Sequence, residues 1–242
     1  MKRILIAEIP PVNELVTPDK KELHHLVQVR RTQPGETIEV LDGKGGLGLA
    51  RFEKAEGRVV RLRMVERLEQ VRESILSLNV LLGFPHQATV IDQCLPALVQ
   101  LGVNKVILCS VTYGGQLKKP WAVYHQRLDA IAKQALKQCG RLVLPELLWR
   151  DDWQKACREL TANGAPGFLF HPGENAREPG QTDAFRELSL AIGPEGGFTQ
   201  KEVAQAVDAG FNTRAMGPRI LEMKTAVVGA CYWAQARFGD GH

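Results

Sequence analysis

The hydrophobic pattern divides the chain into two parts with different rhythms. Residues 1–73 carry short runs rich in β-branched residues between charged stretches and glycine or proline turns, which predicts strands at residues 3–9, 37–41, 47–52 and 58–65. Thr17, Pro18 and Asp19 are typical of a helix start and predict one helix over about residues 18–30. We therefore expect the first part to be a small β-barrel with one helix.

From Ser74 onward, nearly continuous apolar runs alternate with amphipathic stretches. This alternation indicates a parallel sheet covered on both faces by helices, that is, an α/β domain. Pro96 lies where a helix interior is expected and predicts a kink or a restart of that helix. The change of rhythm predicts two domains, residues 1–72 and 73–242. In the second, strands are predicted at residues 76–82, 105–109, near 147, 168–171 and 188–192, and helices at 87–101, 123–138, 152–162 and 225–237, with Gly140 ending the helix of residues 123–138.

Composition and charge narrow the class of protein only a little. With 242 residues and 44% hydrophobic content, the chain is long enough to bury a sizeable core. A net charge of +4 permits a polyanionic partner without requiring one. Five widely spaced cysteines without a C-x-x-C pair indicate reduced thiols and no zinc site. Because no apolar run reaches the length of a signal or membrane segment, we expect a cytoplasmic protein without membrane or metal partners.

Two glycine-proline turns near the C-terminus are the main candidates for a binding site. The turn of residues 193–197 follows an apolar strand, and Thr199 with Glu202 forms a capping-box pattern for the next helix. A second turn lies at residues 216–221. The first turn is neither a phosphate-binding nor a dinucleotide-binding motif, and alone it could be a plain structural turn. Their proximity suggests one ligand pocket. The last helix carries a strip of alanines that fits either a core helix or a dimer interface, Ala226, Ala230 and Ala234.

Six stretches, in order along the chain, resemble one known family. They are HHLVQVRRTQPGE, LGV, QCGR, FHP, IGPEGGFTQKEV and MGPRIL. The chain thus resembles the bacterial small-subunit ribosomal RNA (uracil-N3)-methyltransferase family of the SPOUT superfamily. The resemblance implies an N-terminal PUA-like RNA-binding barrel, a C-terminal α/β domain with a trefoil knot, and a homodimer. It also implies S-adenosyl-L-methionine as cofactor and ribosomal RNA or the small ribosomal subunit as partner.

The resemblance places the cofactor on three loops. Those loops contain Leu169, Phe170, His171, Pro172, Ile192, Gly193, Pro194, Glu195, Gly196, Gly197, Met216, Gly217, Pro218, Ile220 and Leu221. The chain departs from the family pattern just beyond them, where Leu-Glu-Met-Lys-Thr at residues 221–225 replaces Leu-Arg-Thr-Glu-Thr. A second departure is Ser-Val-Thr at residues 110–112 in place of Ser-Glu-Arg. The cofactor loops are therefore kept while charged positions that face the substrate are changed.

Methylation of a uracil ring nitrogen requires loss of the imide proton and stabilisation of the resulting negative charge. Glu222 is a candidate base, and Arg219 and Lys224 are candidate charge stabilisers; ordinary surface ion pairs are the alternative for each. Candidate RNA contacts are His24, His25, Arg30 and Arg31, with Arg141 added by the resemblance.

Three functional hypotheses follow. The leading one is an S-adenosylmethionine-dependent enzyme that methylates a uridine N3 in small-subunit ribosomal RNA. The second is a related SPOUT enzyme with another RNA target. The third, supported by the altered charges, is a catalytically silent RNA-binding dimer that serves in ribosome assembly.

Overall fold

The computed structural model describes residues 2–24, 26, 31–56, 59–172 and 185–241. It divides into two compact units. The first comprises Met1–Glu73 and Lys133–Leu144, and the second comprises Ser74–Ala132 and Pro145–His242. The sequence pattern gave no sign that residues 133–144 would group with the N-terminal part.

The first unit is built on a five-stranded sheet with the order β1-β3-β4-β5-β2. Strand β1 pairs with β3 in parallel, and the other pairings are antiparallel. Strands β1 and β2 are the two edges of this sheet, which forms a PUA-like half-barrel. This confirms the predicted type of fold. The elements are β1 (Arg3–Leu5), β2 (Leu15–Val16), α1 (Lys20–His24), β3 (Thr37–Leu41), β4 (Leu47–Glu56) and β5 (Val59–Arg67).

The start of α1 differs from the sequence prediction. The Oδ1 of Asp19 accepts a hydrogen bond of 2.8 Å from the amide of Glu22, so Asp19 caps the helix and Thr17 does not. The predicted continuation of this helix over residue 25 and residues 27–30 lies outside the described residues.

The second unit is built on a six-stranded parallel sheet with the order β11-β9-β10-β6-β7-β8, which confirms the predicted α/β class. Helix α2 runs through Pro96 without a restart. The elements are β6 (Ser77–Gly83), α2 (Thr89–Gln100), β7 (Val103–Cys109), α3 (Trp121–Cys139), β8 (Glu146–Arg150), α4 (Trp153–Thr161), β9 (Gly167–Phe170), β10 (Glu187–Ile192), α5 (Gln200–Asp208), β11 (Phe211–Arg214) and α6 (Met223–Phe238).

Helices cover both faces of this sheet. On one face, Trp153 of α4 and Ala206 of α5 pack with the strand residues Leu81, Ile107 and Ala191. On the other face, α6 packs against α2 and β10. The ring centroid of Trp233 in α6 lies 5.1 Å from the ring centroid of Phe168 in β9. Because side chains alternate along a strand, every buried strand contributes apolar residues to both cores. This double burial explains the continuous apolar runs in the sequence.

Residues 133–144 are tied to the first unit by polar contacts at the end of α3. The Nη1 of Arg3 donates to the carbonyls of Lys137 (3.1 Å) and Gln138 (3.0 Å), and Arg72 donates to that of Gly140 (3.1 Å). The last carbonyls of a helix lack partners within it, so two arginines at this position satisfy and stabilise them. Gly140 has φ +81°, which ends the helix where the sequence predicted.

The register of the parallel sheet fixes where the loops after its strands lie. Ile192 pairs with Phe170, and Phe170 pairs with Arg214, so the carboxyl ends of β10, β9 and β11 lie side by side. In open parallel sheets, ligands bind outside the carboxyl ends of the strands. The trefoil knot implied by the family resemblance stays a prediction, since residues 173–184 between β9 and β10 lie outside the described residues.

Candidate functional site

The three loops singled out in the sequence leave neighbouring strands at the same edge of the sheet. Residues 171–172 follow β9, residues 193–197 follow β10, and residues 215–221 follow β11. Since those three strands are hydrogen-bonded neighbours, the loops converge although up to about 50 residues separate them in sequence. The two glycine-proline turns, for which the sequence suggested one ligand pocket, are therefore at the same edge of the sheet.

The turn after β10 packs tightly against β6 and exposes its tip. The amide of Gly197 donates to the carbonyl of Pro194 (2.9 Å), and Gly197 has φ +70°, a conformation that favours glycine. Pro194 is buried against Gly83, where an added Cβ would lie 2.6 Å from the Cδ of Pro194. Glu195 and Gly196 are exposed. The turn therefore presents open backbone at a position held by its proline.

Glu202 ties this turn to the loop after β7. Its Oε2 accepts hydrogen bonds from the amide and the hydroxyl of Thr199 (both 2.8 Å), which confirms the predicted capping box. Its Oε1 accepts hydrogen bonds from the amide (2.7 Å) and the hydroxyl (2.9 Å) of Thr112. Burial raises the pKa of Glu202, but these four hydrogen bonds outweigh burial, so the pKa lies below its usual value. The sequence predicted the capping box between Thr199 and Glu202 and missed the hydrogen bonds from Thr112.

The turn after β11 is anchored at one end and open at the other. Met216 packs on α6, since an added Cβ on Gly229 would lie 2.6 Å from the Cε of Met216. Gly217 has φ +80° with open space around it. Residues 217–220 are exposed, and the side chain of Ile220 is 86% exposed. An exposed apolar side chain beside open backbone amides suits one face of a flat heterocycle.

Only part of the loop after β9 is accessible to a ligand. Leu169 and Phe170 are buried, with the Phe170 ring 5.9 Å from that of Trp233, and Pro172 is exposed. The amide of His171 donates to the carbonyl of Arg214 (3.0 Å). The side chain of His171 lines a pocket of about 380 Å³ together with residues of α5. Leu169, Phe170 and the buried Ile192 can therefore contribute backbone groups rather than side chains.

The three candidate catalytic residues lie at or just before the start of α6. Arg219 is exposed, and Glu222 occupies the N-cap position with its side chain 80% exposed. The Nζ of Lys224 is 3.9 Å from the Oε2 of Glu222, a weak surface ion pair. Met223 between them is buried and fixes the position of the segment.

The buried thiol of Cys94 in α2 is affected by two charged residues of the candidate site. Burial raises the pKa of this thiol to about 11; the charge of Lys224 opposes that rise, and the charge of Glu195 adds to it. Both charged groups therefore lie close enough to act on the same sulfur atom.

The RNA candidates have different environments. His24 and Arg31 are exposed, whereas His25 and Arg30 lie outside the described residues. Arg141 is buried, and its Nε donates to Glu73 (2.6 Å). The family resemblance suggested Arg141 as an RNA contact, but the fold uses this arginine in a buried ion pair. That burial argues against a direct contact between Arg141 and a phosphate.

The described residues contain no group of three or more His, Cys, Asp or Glu side chains that could hold a metal ion. Within the same part of the chain, no helix combines the length and the apolar character needed to cross a bilayer. All five cysteines are free thiols.

Family models match both parts of the chain. Residues 72–235 match the RNA methyltransferase domain family, and residues 18–63 match the RNA methyltransferase PUA domain family. Together with the parallel sheet and the three converging loops, these matches define the class as RNA methyltransferases with a PUA domain.

Individual relatives narrow the class. The ribosomal RNA small subunit methyltransferase E of Helicobacter pylori is 30% identical over 184 residues, which cover 74% of this chain and 76% of the relative. The enzyme of the same name from Buchnera aphidicola (subsp. Schizaphis graminum) is 22% identical over 98% of this chain and 97% of its own length. The chain belongs to the ribosomal RNA small subunit methyltransferase E family.

Solved structures share the fold of this chain. A Legionella pneumophila protein in complex with the bound cofactor SAM has a TM-score of 0.88 at 26% identity, with 98% of each chain covered. A ribosomal RNA small subunit methyltransferase E from Neisseria gonorrhoeae, bound to S-adenosyl methionine, shares the fold with a TM-score of 0.89 at 24% identity, and both chains are fully covered (100%).

Proposed function

We propose that this chain transfers the methyl group of S-adenosyl-L-methionine to the N3 of a uridine in small-subunit ribosomal RNA. The observation that carries the proposal is the convergence of the loops after β9, β10 and β11. Family membership supports the reaction class, and the named relatives support the small-subunit RNA as substrate. The structure from Legionella pneumophila supports the cofactor.

The residues at the three loops fit this cofactor. Open space surrounds Gly197 and Gly217, so a ligand can approach their backbone closely. Ile220 offers an exposed apolar surface for the adenine ring. Backbone amides and carbonyls can form hydrogen bonds with the polar edge of the adenine. When bound, the cofactor supplies an activated methyl carbon. The protein has to bind it, orient it and exclude water.

The reaction also requires that the uracil lose its N3 proton. In the proposed mechanism Glu222 accepts this proton, since its carboxylate is accessible at the start of α6. Arg219 and Lys224 stabilise the negative charge that spreads over the ring as the proton leaves. The fixed position of the buried Met223 holds the carboxylate and the ammonium group on one short segment.

RNA binding is assigned to the N-terminal unit. The exposed His24 and Arg31 contact phosphates in this proposal, together with His25 and Arg30. The match to a PUA domain family of RNA methyltransferases supports this division of labour. We also propose that the reaction takes place in the cytoplasm, because the proposed substrate is part of the small ribosomal subunit.

We further propose that the protein is a homodimer formed through α6. Ala230 and Ala234 are fully buried within the chain and Ala226 is half-buried, so the alanine strip of α6 packs mainly into the core. A different face of α6 presents Val228 (41% exposed) and Tyr232 (57% exposed), one turn apart. This apolar pair is a suitable centre for a two-fold interface.

The decisive test is methyl transfer from radiolabelled cofactor. We expect label to enter small ribosomal subunits or their RNA and, after nuclease digestion and mass spectrometry, to be found in N3-methyluridine. A calorimetric titration with S-adenosyl-L-methionine should show binding independently. Binding without transfer to subunits or to naked RNA would overturn the proposal and favour a silent RNA-binding protein. Transfer to another base would identify a methyltransferase with a different target.

A further inference from the structure

An exposed tyrosine lies directly against the proposed cofactor turn. An added Cβ on Gly196 would lie 2.7 Å from the Cβ of Tyr113 and 3.3 Å from its carbonyl oxygen. The side chain of Tyr113 is nevertheless 51% exposed. The turn after β10 thus supports the backbone of Tyr113 while much of the aromatic side chain remains open to solvent.

Hydrogen bonds fix the loop that carries this tyrosine on both sides. Before it, the amide and hydroxyl of Thr112 donate to the buried carboxylate of Glu202 (2.7 and 2.9 Å). After it, the amide of Gly114 donates to the carbonyl of Val111 (3.0 Å), and the amide of Gly115 donates to that of Phe84 (2.8 Å). These bonds give Tyr113 a fixed position, unlike the tip of a free surface loop.

Close backbone packing adds to this rigidity. An added Cβ on Gly114 would lie 2.5 Å from the carbonyl oxygen of Phe84, and one on Gly115 would lie 2.4 Å from that of Pro85. Two consecutive glycines therefore let the loop press against the chain that follows β6. A loop whose backbone is held in place before its ligand arrives loses little conformational entropy on binding, so a contact made from it contributes more to affinity.

We propose that Tyr113 is the platform on which the target uracil stacks during methylation. A ring nitrogen can reach the methyl donor only after its base has left the RNA stack, and an unstacked base gains a new partner on an aromatic side chain. Tyr113 offers such a surface on a rigid loop beside the turn that would hold the donor. This inference rests on the proposed function, because it assigns the base-binding part of the same site.

The test compares Tyr113→Ala with Tyr113→Phe in steady-state methylation of small subunits. Loss of one base–aromatic stack should lower kcat/KM for RNA about five- to a hundredfold in Tyr113→Ala. Tyr113→Phe should recover most of that loss, because the ring face is kept. The KM for S-adenosyl-L-methionine should change little in either variant. Ile75→Ala serves as the matched control, since Ile75 is a 79% exposed apolar side chain outside the site.

Three outcomes would overturn the inference: an unchanged kcat/KM for RNA in Tyr113→Ala, an equal loss in Tyr113→Phe, or a rise in KM for the cofactor that accounts for the whole effect. Thermal melting of each variant separates these results from misfolding. If the wild-type protein itself transfers no methyl group, the proposed function fails. Equilibrium binding of uridine-containing and abasic RNA oligonucleotides, with S-adenosylhomocysteine present, then still tests Tyr113. A wild-type preference for the uridine that Tyr113→Ala loses supports stacking, and equal preferences overturn it.

Discussion

The carboxylate of Glu202 accepts hydrogen bonds from both the amide and the hydroxyl of Thr112, 90 residues earlier in the chain. Its second oxygen caps α5 through Thr199. One buried side chain therefore joins the loop after β7 to the helix that begins just after the glycine turn of β10. The position of the loop after β7 and the start of α5 therefore both depend on the carboxylate of Glu202.

Replacement of Glu202 by Gln should destabilise the protein by about 2 kcal/mol. The side-chain NH2 group of glutamine would replace one carboxylate oxygen, and it cannot accept hydrogen bonds from the amide and hydroxyl that this oxygen binds. The free energy of urea-induced unfolding measures this loss. Glu66→Gln, at an exposed position, is the matched control and should change the free energy by no more than about 0.5 kcal/mol. A Glu202→Gln protein as stable as the control would show that the four hydrogen bonds contribute little.

The carboxylate of Glu202 also makes the free energy of unfolding depend on pH. Because the folded pKa of Glu202 lies below its unfolded value, the charged form stabilises the fold above the unfolded pKa of about 4.3, and this contribution is lost as pH falls through the folded pKa. Unfolding free energies measured between pH 7 and pH 3 should therefore fall less steeply for Glu202→Gln than for the wild type. Parallel curves would contradict the assignment.

Substitution at Gly196 should disturb the site through Tyr113. The new methyl group would lie 2.7 Å from the Cβ of Tyr113, so the backbone has to move, at a cost of about 1–3 kcal/mol. We expect Gly196→Ala to lower both thermal stability and methyl transfer. Gly164→Ala is a useful comparison, since Gly164 has φ +80° but open space around it and should show only backbone strain, about 1 kcal/mol, without loss of specific activity.

Glu222→Gln should lower kcat for methyl transfer about a hundredfold while affinity for S-adenosyl-L-methionine is kept, because a neutral amide cannot accept the N3 proton. Pre-steady-state rates across pH are the measurement. Thr225→Ala, an exposed neighbour on α6, provides the control. Unchanged rates at every pH would remove Glu222 from the mechanism and leave Arg219 and Lys224 to be tested by alanine substitution.

A charge placed on the exposed face of α6 should separate the proposed dimer. We expect Val228→Asp to shift the mass measured by sedimentation equilibrium from dimer to monomer, since burial of an unpaired carboxylate in an apolar interface is costly. Val71→Asp is the control, as Val71 is 93% exposed on the other unit. A monomeric wild-type protein would refute the dimer directly.

The sequence by itself determined the features that depend on neighbouring residues. The continuous apolar runs predicted the parallel sheet, because a strand buried on both faces needs apolar side chains at every position. The pattern of Thr199 and Glu202 predicted a capping box that the structure confirms, since its partners are three residues apart. Likewise, the glycine after α3 marked the end of that helix.

Only the tertiary structure decided which distant groups meet. Sheet order and register bring Phe170, Ile192 and Arg214 to one edge, and no local pattern encodes that order. The same holds for the contact of Tyr113 with Gly196 and for the burial of Arg141 against Glu73. Such contacts depend on how whole elements pack, whereas periodicity and capping depend on residues within one or two turns. For that reason the sequence pointed to the loops of the site, and the fold determined how they are arranged.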